Sequence, residues 1–251
     1  MKPYHKQTKK LKTILANPAA RDNKGRISVR SRGGRHKRFY RLIDWKRDKQ
    51  DIFAEVIVIE YDPNRSCNIA LVKYTDNEYR YILHPLGLEV GDKIIASDKA
   101  PIKPGSAMSL KKIPIGVEIH NIEIQPGKGG QIARGAGTAC LIIGKDEKYA
   151  HLKLPSGELR KVNLNCYATI GKLDNENKKN EELGKAGRKR HMGRRPKVRG
   201  VAMHPGAHPH GGGEGRSGEG MHPKTPWGKS SQGITRNRKK SSNKLIIKRR
   251  K

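Results

Sequence analysis

The chain has 251 residues, of which only 33% are hydrophobic and 5% aromatic, so its composition excludes a single large core along its whole length. No run of apolar residues approaches the length that a membrane-spanning helix requires. The formal net charge of +32 lies at the two ends, because residues 1–50 carry +14, residues 185–251 carry +18, and residues 51–184 hold 18 charges of each sign.

The basic ends indicate a polyanionic partner. Each Lys or Arg that meets a nucleic-acid phosphate releases a condensed counterion, so charge of this density favours nucleic acid. A cationic tail for acidic membranes is the alternative, but such tails place apolar residues along one face of a helix. The ends of this chain are instead rich in Gly, Pro, His and Arg.

Residues 1–35 form the first predicted segment, an extended basic arm without hydrophobic periodicity. Met1–Arg21 is basic and free of acidic residues, as in a mitochondrial transit peptide. Because the basic character continues past Asp22, we favour an RNA-binding arm over a cleaved presequence. Gly33 and Gly34 lie among Arg and Lys, and paired glycines predict close approach to a sugar-phosphate backbone.

Residues 36–110 read as a meander of short strands. The β-branched runs Phe53–Tyr61, Asn68–Tyr74 and Glu78–Leu83 are separated by turn residues, and Glu89–Ala96 adds a hairpin-like unit. Ala100–Gly105 reads as a loop. This spacing predicts a small closed barrel of the oligonucleotide-binding (OB) type.

Residues 111–183 repeat the pattern and predict a second, SH3-like barrel with little helix. Its predicted strands are Gly116–Ile124, Gln131–Gly144, Tyr149–Leu154, Leu159–Leu164 and Ala168–Lys172. The segment Tyr149–Leu154 alternates apolar and polar residues, as a half-buried strand should. Cys67, Cys140 and Cys166 are far apart and form no CxxC pair, which predicts buried small hydrophobes in a reducing compartment.

Residues 184–251 have too few apolar residues to bury a core and would be classed as disordered in isolation. Gly, Pro, His and Trp227 are interspersed among the cations. This composition predicts a basic C-terminal extension that orders by threading into RNA, where glycines allow close approach and flat side chains stack on bases.

Six strings in order carry a family resemblance: EYDPNRS (60–66), YIL (81–83), PGKGGQ (126–131), GKAGR (184–188), HPHGGGEG (208–215) and TPWGK (225–229). From about residue 24 to its C-terminus the chain resembles protein two of the large ribosomal subunit, in its bacterial and organellar form. The short N-terminal extension and the short stretch RSGEGMHPKTPWGK depart from the common bacterial pattern. With RHMGRRP (190–196), they look like alphaproteobacterial and mitochondrial members.

The resemblance implies a mainly β fold, an OB barrel followed by an SH3-like barrel, with basic arms buried in large-subunit rRNA. It implies a structural, non-catalytic protein that binds rRNA, supports subunit association and lies near the peptidyl-transferase centre. Expected partners are large-subunit rRNA, neighbouring ribosomal proteins and the small subunit, with no membrane and no small-molecule substrate. We expect no cofactor beyond structural magnesium bound by rRNA. The expected location is the ribosome of the mitochondrial matrix, with the bacterial cytoplasm or a plastid as alternatives.

The predicted site residues are cations, flat side chains and glycines of the arms and motifs. Those predicted to bind rRNA are Arg30, Arg32, Arg35, His36, Lys37, Arg38, Arg41, Arg65, Lys128, Gln131, Arg134, Lys185, Arg188, Arg190, Arg194, Arg195, Lys197, Arg199, Trp227, Lys229, Arg236 and Arg238. Those predicted near the peptidyl-transferase centre are His208, His210, Gly211, Gly212, Gly213 and Glu214.

Two other function classes and two alternative sites compete with this interpretation. His204, His208, His210 and His222 are close in sequence, but zinc needs four ligands on a defined scaffold, and a catalytic His would have only Glu214 nearby as a partner. PGKGGQ lacks the GxxxxGK[ST] spacing of a nucleotide-binding loop. A free nucleic-acid-compacting or RNA-chaperone protein would explain the charge but not the two barrels. A metallohydrolase would explain only the histidines.

Overall fold

The computed structural model describes residues 5–233, 236–237 and 239–250. Helices are short: α1 (His5–Lys10), α2 (Ala186–His191) and three 3-10 turns at Glu176–Asn180, Gly200–Ala202 and Ser241–Leu245. Helix α1 lies in the segment predicted as an extended arm, so that prediction was wrong for these residues. Within these described ranges no helix has the length and apolarity to cross a membrane.

Fifteen short strands make the described chain mainly β, and all pairings between them are antiparallel. The first seven are β1 (Lys12–Ile14), β2 (Phe39–Arg41), β3 (Phe53–Glu60), β4 (Ile69–Tyr74), β5 (Tyr79–Leu83), β6 (Lys93–Ile95) and β7 (Ala107–Ser109). The others are β8 (Glu118–His120), β9 (Ile122–Glu123), β10 (Gly130–Ile132), β11 (Cys140–Lys145), β12 (Tyr149–Lys153), β13 (Leu159–Asn163), β14 (Tyr167–Ile170) and β15 (Ile246–Lys248).

Contacts divide the chain into two compact units that do not follow the order of the sequence. Unit 1 consists of Met1–Leu15, Arg38–Glu182 and Ser241–Lys251, and unit 2 consists of Ala16–Lys37 and Leu183–Lys240. The predicted boundaries at residues 35, 110 and 183 stay predictions.

The first barrel of unit 1 is built on a four-stranded sheet in the order β5-β4-β3-β6. Strand β4 is central, and its side chains alternate between two cores. Ile69 and Leu71 pack in one cluster, while Ala70 and Val72 pack in the other. A strand buried on both faces needs a continuous apolar run, which explains why IALVKY was recognisable in the sequence.

The second barrel contains a seven-stranded sheet in the order β15-β13-β12-β11-β8-β14-β7. In β12, Ala150 and Leu152 are fully buried and alternate with more exposed neighbours, as the apolar-polar pattern predicted. Strand β15 pairs with β13, so part of the predicted C-terminal extension belongs to this sheet. The sequence did not predict that pairing.

A buried polar contact ties the end of the second barrel to the first. The His84 ring lies 3.0 Å from Oδ2 of Asp174 through Nδ1 and 2.9 Å from the Leu88 carbonyl through Nε2. Burial disfavours the charged ring, but the Asp174 hydrogen bond and the Leu88 carbonyl outweigh it and raise the pKa of His84. Asp174 also accepts hydrogen bonds from the backbone and side-chain amides of Asn68.

Several predicted strands were wrong in extent. Gln131–Gly144 is not one strand, because a loop containing Ala133 (φ 51°) and Gly137 (φ 63°) separates β10 from β11. Gly116–Ile124 divides at Asn121, which has a φ of 49°. Only β6 forms within Glu89–Ala96. Positive φ values interrupt strand geometry without changing the apolar composition, so composition alone overestimates strand length.

The three cysteines are buried and free, as predicted. Burial raises the pKa of Cys67 to about 11 and that of Cys140 to about 12. Burial also raises the pKa of Cys166 to about 12. Such thiols stay protonated at neutral pH and act as small core side chains.

Candidate nucleic-acid interface

In unit 1 the EYDPNRS motif is organised around the carboxylate of Asp62, which is fully buried. It accepts hydrogen bonds from Nε of Arg65 at 2.6 Å, from a terminal nitrogen of Arg41 at 3.3 Å and from the backbone amide of Asn64 at 3.1 Å. A buried carboxylate with two guanidinium partners fixes both side chains. The motif therefore orients two of the predicted RNA-binding arginines.

Trp45 brings Arg65, which Asp62 holds, together with one further predicted residue, Arg134. The guanidinium carbon of Arg134 lies 4.5 Å from the centre of the Trp45 ring, and that of Arg65 lies 5.3 Å from it. Arginine and tryptophan faces both stack on nucleobases. Sequence reasoning missed Trp45, because its neighbours along the chain carry no motif; contacts that span 20 and 89 residues bring it to Arg65 and Arg134.

The PGKGGQ loop lies in the same part of unit 1. Glu123 is buried and accepts backbone hydrogen bonds from Gly127 at 3.1 Å and Gly129 at 2.7 Å. The backbone amide of Gly130 donates to the Trp45 carbonyl at 2.8 Å. Since the protein's own acceptors take these amides, the loop does not present them as a nucleotide-phosphate cradle. Lys128 is left exposed on the loop.

Unit 2 joins part of each predicted arm. The backbone amide of Gly33 donates to the Gly193 carbonyl at 3.0 Å, and that of Arg195 donates to the Ser31 carbonyl at 3.1 Å. A Cβ added at Gly33 would lie 3.1 Å from Cβ of Ala19. The protein's own packing therefore already favours a glycine at position 33, and its approach to a sugar-phosphate backbone stays a prediction. A Cβ added at Gly34 would meet no atom within 4 Å, so the space beside this residue is open.

Unit 2 also concentrates the positive charge. It holds 22 Lys and Arg against 3 acidic residues, a net charge of +19 of the chain's +32. Strong like charge in one compact segment repels itself, so a polyanion that binds there also relieves that repulsion.

Most of the predicted RNA-binding side chains are solvent-exposed. The exposed ones are Arg30, Arg32, His36, Lys37, Lys128, Gln131, Arg134, Lys185, Arg188, Arg190, Arg194, Arg195, Lys197, Arg199, Trp227 and Lys229. The half-buried ones are Arg35, Arg38, Arg41, Arg65 and Arg236. Arg238 lies outside the described residues.

The two histidines of the HPHGGGEG string point into unit 2. His208 and His210 are buried, with ring centres 4.8 Å apart. Nδ1 of His208 accepts the backbone amide of His210 at 3.0 Å, and Nε2 of His210 accepts that of Lys224 at 3.0 Å. The rings thus hold the loop together internally.

The glycines that follow are also packed against the chain itself. A Cβ at Gly211 would lie 2.5 Å from the Met203 carbonyl oxygen, and one at Gly212 would lie 2.8 Å from Cγ of Pro205. A Cβ at Gly213 would lie 2.7 Å from Cβ of Ser217. The sequence predicted these glycines for close approach to RNA, whereas internal packing already requires them.

No group of three or more His, Cys, Asp or Glu that could hold a metal ion lies within the part of the chain that the structure describes. His204 uses its Nδ1 to accept the backbone amide of Gly206 at 3.1 Å.

Two protein-family models match consecutive parts of the chain. Residues 8–96 match Ribosomal Proteins L2, RNA binding N-terminal domain, and residues 103–228 match Ribosomal Proteins L2, C-terminal domain. These domains agree with the mainly β fold, an OB barrel followed by an SH3-like barrel. With both domains present in order on one basic chain, the protein belongs to the Ribosomal Proteins L2 family and is a structural, RNA-binding, non-enzymatic component of the large ribosomal subunit.

Proposed function

We propose that the protein is a primary rRNA-binding protein that binds rRNA through two kinds of surface. The observation that carries the proposal is the charge of unit 2, with 22 basic residues against 3 acidic ones and nearly all of the predicted cations there exposed. Contacts of this kind supply affinity and register but read no base sequence.

The second surface is the Trp45 cluster of unit 1, with Arg65 and Arg134. Its flat side chains are suited to stacking on unpaired bases, which is how proteins usually recognise RNA loops. Asp62 supports this role because it holds Arg65 in place before RNA arrives, so less side-chain entropy is lost on binding.

We further propose that the loop from His208 to Glu214 braces rRNA near the peptidyl-transferase centre. The internal hydrogen bonds of both histidines support a loop of fixed shape that contributes no catalytic group. Gly213 and Glu214 are exposed, and Glu214 is the one of the two whose side chain can meet RNA or its bound magnesium.

The remaining partners follow from the family resemblance. We propose contacts with neighbouring ribosomal proteins and a contribution to small-subunit association. Any magnesium in the site belongs to the rRNA. The short RSGEGMHPKTPWGK stretch and RHMGRRP support a mitochondrial ribosome, and a bacterial or plastid ribosome is the alternative.

Co-sedimentation tests the function. Tagged protein should migrate with the large subunit in high-magnesium buffer, and Arg188→Ala combined with Arg190→Ala should shift it towards the free fraction. Lys178→Ala is the control, because this half-buried lysine already pairs with Glu181 in unit 1. Protein that compacts any nucleic acid but never enters the large-subunit peak would contradict the proposal. Recovery of that peak from purified mitochondria tests the location.

A further inference from the structure

Unit 2 contains an open cavity whose lining is rich in arginine. Its volume is about 480 Å³, and four arginines line it: Arg21, Arg30, Arg32 and Arg195. No acidic residue lines the cavity. Four arginines around one cavity, with no acidic residue among the lining, make the local potential positive and favour the entry of an anion.

The nearest acidic residue in sequence is already engaged. Asp22 accepts the backbone amides of Lys24 at 2.9 Å and Arg26 at 2.8 Å, so its carboxylate closes the adjoining turn. Arg21 donates to the Gly25 carbonyl at 2.7 Å and is thereby held in position. By contrast, the side chains of Arg32 and Arg195 have no hydrogen-bond or ion-pair partner among the described residues, which leaves their donors available.

The backbone on one side of the cavity is curled. Ser31, Gly33 and Gly34 have positive φ values of 59°, 126° and 64°, and all three line the cavity. Because the Gly33 amide is donated to the Gly193 carbonyl, this backbone shapes the cavity wall and the arginine side chains supply the donors for an anion. A Cβ at Gly34 would meet no atom within 4 Å, so this part of the rim is open to a ligand.

An aromatic face lies beside the cavity. The guanidinium carbon of Arg30, which lines the cavity, lies 5.5 Å from the centre of the Trp227 ring. The Trp227 side chain is 73% exposed, although burial would be the favourable state for so large an apolar surface. An anion site next to an exposed aromatic ring matches one step of a nucleic-acid chain, which pairs a phosphate with a flat base.

We propose that this cavity binds one internucleotide phosphate of single-stranded RNA while the adjoining base stacks on Trp227. The inference rests on the proposed function and deepens it, because it assigns a discrete one-nucleotide site within a surface otherwise expected to hold phosphates diffusely. Ile27 and Pro196, which also line the cavity, supply apolar contacts for a ribose.

A linkage scan tests the site with the full chain. The probe is a single-stranded oligoribonucleotide from the rRNA fragment that the wild-type protein binds, with one phosphate at a time replaced by a neutral methylphosphonate. One position should lose affinity about tenfold, whereas other positions lose little. In the double variant Arg32→Ala with Arg195→Ala, replacing that same phosphate should cause no further loss of affinity, because the phosphate replacement and the double substitution remove the same interaction.

The control has matched charge. Lys24→Ala combined with Arg26→Ala removes two cations from the same unit outside the cavity, and the position-dependent loss should persist in this variant. Trp227→Ala should weaken binding about tenfold, the effect expected from loss of one stacked base, and Trp227→Phe should retain most of the affinity.

The outcomes separate the two proposals. Failure of the wild-type protein to bind the rRNA fragment would contradict the proposed function. Normal binding with equal small losses at every linkage overturns the cavity proposal alone. Inorganic phosphate should compete much more weakly than the oligonucleotide, compared per phosphate. Equal competition would mean that the cavity binds free anions, and it would also overturn the cavity proposal.

Discussion

Gly130 offers the sharpest test of how the PGKGGQ loop is built. It begins β10 and donates its amide to the Trp45 carbonyl at 2.8 Å. A Cβ at this position would lie 2.1 Å from Oδ1 of Asn121 and 2.4 Å from the Asn121 carbonyl oxygen. Because backbone is among the obstructing atoms, Gly130→Ala must displace the strand or the loop.

The magnitude follows from opposing terms. Overpacking of this kind costs about 3 kcal/mol, and the lower entropy of the unfolded alanine chain returns about 0.4–1 kcal/mol. We expect a net loss of about 2–2.6 kcal/mol for Gly130→Ala. The matched control is Gly127→Ala in the same loop, where a Cβ meets open space but φ is +73°. Left-handed strain there should leave a net loss of about 1 kcal/mol.

Urea unfolding followed by circular dichroism measures both variants, and binding to the rRNA fragment measures the consequence for the Trp45 cluster. Gly130→Ala should lose both stability and affinity, since the loop is joined to Trp45 through its backbone. Equal unfolding midpoints for the two variants would refute the steric argument. Lower stability with unchanged affinity would refute the link between the loop and RNA binding.

Three further predictions concern buried contacts. Asp62→Asn should lower the unfolding free energy by about 3 kcal/mol, since it leaves two arginines without their buried carboxylate; urea unfolding should give a much smaller change for the exposed control Asp146→Asn. The pKa of His84 is higher in the folded protein than in the unfolded chain, where it is about 6.5. The stabilisation from its contacts is therefore fully present below a pH of about 6.5 and is lost as the pH rises through the higher, folded pKa. The difference in stability between wild type and His84→Gln should therefore shrink as pH increases, and a growing difference in the unfolding titration would contradict this sign. Gly212→Val should loosen its loop, because a Cβ there meets Pro205 at a φ of +89°; limited proteolysis should cut the variant faster than wild type, and equal rates would argue against the internal packing.

Local sequence patterns were sufficient for most of the β framework. The run IALVKY and the alternating YAHLK predicted β4 and β12 because burial on two faces or one face imposes those patterns directly. The predicted cations were also mostly exposed, since a charged side chain without a partner stays in water. Strand ends were less predictable, as Asn121 shows, because a single positive φ ends a strand without altering its composition.

By itself the sequence determined the charge distribution, the family motifs and the order of the two barrels. Only the tertiary structure decided that residues 16–37 and 183–240 form one unit, that Gly33 packs on Ala19, and that Trp45 meets Arg134. It also placed β15 beside β13, although the sequence suggested an extension without a core. The physical reason is the separation in sequence of the residues that interact. Periodicity and turn chemistry act between near neighbours, whereas these contacts join residues many positions apart, and their stability depends on packing that no local pattern records.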